Sequence, residues 1–124
     1  MAVTHPTAVR TAIADLVVDR VDAGSGPGYI ELQTAGGVEV ATPVFSDPAF
    51  AAAANGQAVA NSISPDASAT GGTMAKGVVK DSTAAEVFSF VVGTGGAGDI
   101  NVSNLVVGVG DQVSLSNFAY VAPL

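Results

Sequence analysis

The sequence predicts a mainly β protein, an antiparallel β-sandwich or barrel of about seven strands preceded by one N-terminal α-helix. Three observations predict this class. Apolar residues near the N-terminus recur at helical spacing. From residue 29 onward they instead alternate with polar residues in short runs. Turn signals rich in Gly, Pro, Asn and Asp separate these runs at intervals of about 8 to 12 residues, as in all-β domains.

An amphipathic helix is predicted over residues 7–22. Five apolar residues fall at i, i+4, i+7, i+8 and i+12 and so form one stripe: Val9, Ile13, Leu16, Val17 and Val21. We expect the helix to bury Ile13, Leu16 and Val17 against its own β domain or against a neighbouring chain.

Three aspartates share another face of this helix. Asp15, Asp19 and Asp22 recur at spacings of three and four residues, which places them side by side on the helix surface. The ordinary interpretation is a face in contact with water. The alternative is an acidic face that docks a basic patch on another protein.

The glycine-rich stretch DAGSGPGY follows the predicted helix. A phosphate-binding loop would need the order strand, loop, helix, because the backbone N–H groups at a helix N-terminus attract the anion. Here the loop follows a helix C-terminus, which repels anions. We therefore predict a left-handed C′ cap at Gly24 and a hinge after it. Residues 1–28 are predicted to form an arm, helix and hinge, and residues 29–124 a β-sandwich domain.

The β region begins with a predicted hairpin. The alternation that starts at Tyr29 and the run over residues 38–45 flank a turn at Gly36 and Gly37, while Pro43 places the second strand at an edge or a bulge. Further strands are predicted over residues 57–64, 73–80, 87–92, 100–107 and 113–122.

Aromatic residues mark one face of two of these strands. Phe88 and Phe90 alternate on one face of their strand, and Phe118 and Tyr120 do so on the last strand. Because large aromatic side chains dominate cores and interfaces, we predict that all four are core or interface residues.

The composition is compatible with two kinds of protein, one that is buried against other chains and a simple exported domain. The chain is 48% hydrophobic and only 12% charged, against about 25% charged residues in ordinary soluble domains. A surface covered by Ala, Gly, Ser, Thr and Asn suits burial against other subunits, although an Ala/Gly-rich exported domain would have the same composition. The net charge is −7, with four basic residues, so direct nucleic-acid binding is not expected. No segment has the length and hydrophobicity of a membrane span.

Residues that could carry catalysis are sparse. The single histidine, His5, precedes Pro6 near the N-terminus, where it has no predicted partner. Cysteine is absent. The loop aspartates each lie beside Gly, Pro or Ser, where aspartate stabilises turns, and they lack the spacing of a calcium loop: Asp47, Asp66, Asp81, Asp99 and Asp111. The sequence therefore predicts a non-enzymatic protein with no cofactor and no metal.

Four stretches carry a resemblance to known proteins: HPTAVRTAIADLVVDRVDAGSGPG, EVATPVFSDPAF, AVANSISPDASATGG and VVKDS before VFSF. Their series resembles small virion proteins of tailed bacteriophages and related prophages, from His5 to Tyr120. The resemblance implies a capsid decoration or cement protein on the outside of the major capsid lattice. It supplies no site motif, so no functional residue is carried over from it.

The resemblance also implies partners and a location. The expected partners are the major capsid protein and neighbouring copies of the chain, which would form a homo-oligomer on the particle after synthesis in the host cytoplasm. The alternatives are a head–tail connector or tail protein and a surface-binding β-sandwich module. Sugar binding is disfavoured because Trp is absent and only two tyrosines are present.

Overall fold

The computed structural model describes residues 3–123 and confirms a mainly β fold with one N-terminal helix. Helix α1 spans Thr7–Asp19 and continues as a 3-10 turn over Arg20–Asp22. The strands of the described part of the chain number eleven rather than about seven. They are β1 (Tyr29–Gln33), β2 (Glu39–Ala41), β3 (Val44–Phe45), β4 (Gln57–Val59), β5 (Ile63–Ser64), β6 (Gly72–Thr73), β7 (Lys76–Lys80), β8 (Glu86–Gly93), β9 (Ile100–Asn101), β10 (Val106–Val107) and β11 (Ala119–Val121).

The strands form one large open sheet and two small ones. The large sheet has the order β5-β3-β1-β7-β8-β9, and β2 also pairs with β1. All of its pairs are antiparallel except β8–β9, which is parallel. β4 pairs with β11, and β6 pairs with β10. The predicted hairpin at Gly36 and Gly37 is confirmed, since β1 and β2 flank it and Gly37 N donates to Thr34 O at 2.9 Å.

The strand count rises because four predicted runs, 38–45, 57–64, 73–80 and 100–107, each divide into two strands. The run 100–107 divides into β9 and β10, and Asn104 Oδ1 accepts a hydrogen bond from Val106 N at 3.0 Å in the break. The run 113–122 retains only β11 and one bridge, because Asn117 adopts a φ of 57° just before the strand. Asn side chains that bond their neighbours compete with sheet pairing.

Helix and sheet share one hydrophobic core. Ala14, Val18 and Val21 on the helical segment belong to the same cluster of buried side chains as Ile30 and Phe45 of the sheet. Their mutual burial fixes the helix against the strands, because apolar area removed from water stabilises the folded chain.

The buried face of α1 differs from the predicted one. Leu16 was expected to be buried against the β domain or a neighbouring chain, and it is 67% exposed in the single chain, while Ile13 and Val17 are half-buried. The buried helical residues are instead Ala14 and Val18. The helix is therefore rotated by about one residue relative to the predicted stripe, and the small Ala14 lets it approach the strands closely.

Hydrogen bonds to a neighbouring segment explain this rotation. Asp15 Oδ1 accepts a bond from Ala53 N, and Asp22 Oδ1 accepts one from Ala49 N, each at 2.8 Å. Thr11 Oγ1 accepts a third from Gly56 N at 2.9 Å. The expectation that the aspartates form a face in water is thus wrong for Asp15 and Asp22. They bind residues 49–56, named here the helix-bound segment, and only Asp19 of the three is exposed.

The glycine-rich stretch is a packed turn. Gly24 adopts a φ of 92° directly after the capping residue Ala23, as predicted for C′. Ser82 Oγ donates to Ala23 O at 3.0 Å and accepts from Gly26 N at 3.4 Å. The loop therefore packs against the turn between β7 and β8.

Candidate functional site

The four aromatic residues singled out from the sequence come together between β8 and β11. The ring centroids of Phe88 and Tyr120 lie 5.1 Å apart, and those of Phe90 and Phe118 lie 5.4 Å apart. Phe88 also stacks on Phe118, with 6.3 Å between the centroids. Ring pairs at these separations attract one another beyond the area they bury. They form the floor of an open groove of about 380 Å³, named here the aromatic groove.

The floor of the aromatic groove is anchored in the core but is partly exposed. Phe118 is buried and contacts Phe45 and Phe50, with ring centroids 6.0 and 6.1 Å apart. Phe88, Phe90 and Tyr120 are only half-buried, because the groove opens above them. Phe88 and Phe90 were expected to lie in the core, and the structure places both at its rim.

A glycine on the neighbouring strand positions Phe90. Gly77 pairs with Phe90 across β7 and β8, and the Phe90 ring occupies the space that a Cβ at residue 77 would need. The ring therefore lies flat across its own sheet.

The walls of the aromatic groove come from residues that the sequence analysis did not single out. Asp99 and Ile100 line one side, and Ala119 and Val121 line the other. Asp99 was interpreted only as a turn residue, yet its Oδ2 accepts a hydrogen bond from Val91 N at 2.9 Å. The sequence does place Asp99 directly before a predicted strand, and an aspartate at such a position can accept a hydrogen bond from the adjacent strand.

The remaining predicted interface residues lie elsewhere. Ile13, Leu16 and Val17 are on α1, and Gly24 is in the turn after it; none of them lines the aromatic groove. The predicted set therefore divides into the groove and the helical segment with the turn that follows it. On the helix, Leu16 is the most exposed of the predicted residues.

Most aspartates bind backbone N–H groups of their own chain. Asp66 Oδ2 accepts from Thr42 N, and Asp111 Oδ2 accepts from Gly108 N, each at 2.8 Å. The aspartates that accept a hydrogen bond from a backbone N–H group are Asp15, Asp22, Asp66, Asp81, Asp99 and Asp111. These acidic groups hold loops in place.

The hydrogen bonds to Asp81 also change the pKa of its carboxyl group. Its Oδ1 accepts bonds from the hydroxyl and the N–H of Thr83 and from Ala85 N. The Thr83 hydroxyl lowers the pKa of Asp81 below its usual value, and the two backbone N–H groups and Arg20 lower it further, while desolvation opposes them. The carboxylate is therefore held in its charged form at the β7–β8 turn.

In residues 3–123 the side chains that could hold a metal ion do not cluster. No three His, Asp or Glu side chains of this region gather closely enough to hold a metal ion. His5 is half-buried just before Pro6 and α1, and it does not line the aromatic groove. No helix in the same region has the length and apolar character that crossing a membrane requires.

The arrangement suits contact with another macromolecule. The aromatic groove offers a partly exposed apolar floor with an acidic side chain at its wall, which are features of an interface core and its polar rim. Comparison with known proteins found no matching family model, no matching curated protein and no matching solved structure.

Proposed function

We propose that the protein is a structural component of a virion, a capsid decoration or cement protein that binds the outside of the major capsid lattice and stabilises the head. One observation carries this proposal beyond the sequence resemblance. The exposed surface combines many large apolar side chains with few basic ones.

The exposed large apolar residues are spread over several elements. Val9 and Leu16 lie on α1, and Val59 and Val121 lie on the paired strands β4 and β11. The full set of described residues is Val3, Val9, Leu16, Val38, Val59, Val91, Val106, Val109 and Val121. Scattered apolar contacts are individually weak. They become effective when one subunit touches several neighbours in a symmetric lattice, because each additional contact is then intramolecular.

The charges supply a second line of support. The aspartates that bind their own backbone are engaged within the fold, and Lys80 pairs with Glu31 at 3.2 Å. Only four residues of the chain are basic, against eleven acidic ones. A surface of this kind does not suit contact with packaged DNA, since phosphate binding requires clustered Lys and Arg. It suits the outer side of a shell.

The proposal is tested by sedimentation of purified empty shells, assembled from the major capsid protein of the proposed virion, with added protein. We expect co-sedimentation at about 0.1 M and at about 1 M salt, because the Debye length falls from roughly 10 Å to roughly 3 Å while apolar contacts persist. Binding that disappears at about 1 M salt would show that charged groups carry the contact. Absence of binding at both salt concentrations would favour a connector, a tail protein or a surface-binding module.

A substitution scan locates the contact. Aspartate is placed singly at each of the nine exposed apolar positions, and Ser103→Asp and Ser116→Asp serve as controls because both serines are exposed. We expect at least two apolar positions to weaken shell binding by about tenfold or more and the controls to leave it unchanged. Equal effects at apolar and serine positions would contradict an apolar interface.

A further inference from the structure

The outer edge of β8 is only partly covered. On one side, β8 pairs with β7 from Lys76↔Val91 to Lys80↔Glu86. On the other side, β9 pairs with β8 only at Val92 and Gly93. Within the described part of the chain, no strand therefore lies beside residues 86–90 on that side. Most of this edge of β8 therefore has no neighbouring strand among the described residues.

Backbone directions along β8 show which groups this edge presents. Val92 N donates to Ala75 O on the β7 side at 3.0 Å, whereas Val91 N donates to Asp99 on the opposite side. The N–H and C=O groups of successive residues point to opposite sides of a strand. Ser89 therefore directs its backbone N–H and C=O groups away from β7, as Val91 does. Ser89 is exposed and lines the aromatic groove.

A second strand edge borders the same groove. Phe118 O accepts from Ala60 N, and Ala122 N donates to Gly56 O, so these residues of the β11 region face β4. By the same alternation, Ala119 and Val121 direct their backbone groups away from β4. Both residues line the aromatic groove. Two open strand edges thus flank a floor of aromatic rings.

Open edges of this kind recognise extended backbone. An added strand satisfies the outward N–H and C=O groups, and its alternate side chains enter the pockets beside the edge. Side chains on one face of such a strand would point the same way as Phe88 and Phe90, towards Phe118 and Tyr120. The groove floor would then bury apolar side chains of the occupant.

The charge at the rim specifies the occupant further. Asp99 lines the groove and is exposed, and Glu86 lies exposed at the other end of the open edge. No lining residue is basic. The chain's own four basic residues lie within folded elements rather than on a free extended segment: Arg10 on α1, Arg20 in the 3-10 turn, and Lys76 and Lys80 on β7. Residues 1–6 contain no Lys or Arg. A segment of another protein fits better than a second copy.

We propose that the aromatic groove is a strand-acceptor site for an extended segment of a second protein. The segment adds a strand to the outer edge of β8 beside Ser89, seats alternate apolar side chains on Phe88, Phe118 and Tyr120, and places a Lys or Arg near Asp99. This site does not depend on the capsid assignment. Peptide binding without shell binding would retain it and reject that assignment, and shell binding without peptide binding would do the reverse.

The probe is a blocked, fluorescently labelled nine-residue peptide, acetyl-TVKVTVKVT-amide, whose valines share one face when it is extended. Its controls are the same peptide with Glu in place of Lys and the same peptide N-methylated at alternate residues. We expect the lysine peptide to bind, the Glu peptide to bind about tenfold more weakly, and N-methylation to abolish binding, because it removes backbone donors. Failure of the lysine peptide to bind at about 1 mM, or equal binding by all three, would overturn the proposal.

Protein variants test the placement at β8. Ser89→Pro removes the outward N–H without removing a donor to β7, and Ser89→Ala keeps that N–H. We expect about a tenfold loss of peptide affinity in the proline variant and none in the alanine variant. Asp99→Asn keeps an acceptor for Val91 N but removes the negative charge. It should therefore lower the affinity for the lysine peptide by about threefold and reduce the preference for the lysine peptide over the Glu peptide.

Hydrogen exchange in the wild-type protein tests the site without requiring that any variant folds. In the wild-type protein, bound lysine peptide should slow hydrogen exchange at the Ser89 amide, since that amide then donates to the added strand. The Val78 amide, on central strand β7, is the internal control and should not change. Binding that leaves exchange at Ser89 unchanged would place the peptide elsewhere and would overturn the proposal.

Discussion

Asp15 illustrates how single residues of this chain act. It lies on α1, is half-buried and accepts a hydrogen bond from Ala53 N at 2.8 Å. No buried side-chain nitrogen or oxygen atom in the described residues lacks a hydrogen-bond partner. A polar group removed from water costs free energy when it has no partner, so such bonds decide where a loop can settle.

Asp15→Ala should destabilise the fold by about 1 to 3 kcal/mol, because the Ala53 N–H loses its partner in a partly buried place. Asp19→Ala is the matched control on the same helix, since Asp19 is exposed and should change stability by less than about 0.5 kcal/mol. Urea unfolding of both variants measures the difference. Equal free energies of unfolding would show that the bond to the helix-bound segment contributes nothing.

Asp81 should make stability depend on pH in the acid range. Its pKa is lowered in the folded state, chiefly by the Thr83 hydroxyl, so its charged form favours folding. This contribution is present above the unfolded-state pKa of about 3.9 and is lost as the pH falls through the lower folded-state value. Asp81→Asn keeps the acceptor oxygen but removes the charge.

We therefore expect the Asn variant to be less stable than wild type at about pH 7, and the gap to narrow as the pH falls below about 4. Urea midpoints at several pH values provide the comparison. A gap that stays constant down to about pH 2 would mean that the charge of Asp81 does not favour the folded state.

At the scale of elements, the orientation of α1 depends on two kinds of contact. Ala14 and Val18 enter the shared core, and Thr11, Asp15 and Asp22 bind the helix-bound segment. The polar bonds run along α1 from Thr11 to Asp22, so they fix its rotation as well as its position. Leu16 is thereby turned towards solvent.

Two substitutions on α1 test this orientation. Val18→Asp should cost several kcal/mol, because it places an unpaired charge at a position that is 2% exposed. Leu16→Asp should change stability by less than about 0.5 kcal/mol, because Leu16 is 67% exposed. Thermal unfolding of the isolated proteins compares them. A larger loss for Leu16→Asp would restore the predicted stripe and reject the observed rotation.

Over the whole molecule, the helix, the sheets and the chain beyond β11 are joined in one structure. The Arg10 guanidinium bonds to Ala122 O at 3.1 Å and Pro123 O at 3.3 Å, which links α1 to the chain beyond β11. Val21 and Ile30, on either side of the glycine-rich turn, lie in the same core. A shared core favours a single unfolding transition.

We expect far-ultraviolet circular dichroism and tyrosine fluorescence to report the same urea midpoint. Tyr29 lies on β1 in the large sheet, and Tyr120 lies on β11 in a small one. Their signals therefore follow both sheets. Transitions that differ between the two methods would indicate that residues 1–28 and residues 29–124 unfold as separate units.

The aromatic residues mark the limit of what could be predicted for the candidate site. Alternation placed Phe88 beside Phe90, and Phe118 beside Tyr120, on common strand faces, because side chains on a strand repeat every two residues. Their meeting across β8 and β11 could not be predicted, since these strands belong to different sheets and no local pattern specifies that packing. For the same reason Asp99 was read as a turn residue, and its bond to Val91 was missed.

Sequence patterns alone predict the mainly β class, the single helix at residues 7–22 and the left-handed cap at Gly24. These features depend on short-range periodicity and on backbone sterics, which act within a few residues. Folding of the whole chain, in contrast, exposes Leu16, joins Asp15 and Asp22 to the helix-bound segment, and brings two strand edges to one aromatic groove. Such outcomes depend on hydrogen bonds and packing between residues far apart in the chain, where many partners are chemically equivalent until the fold selects one.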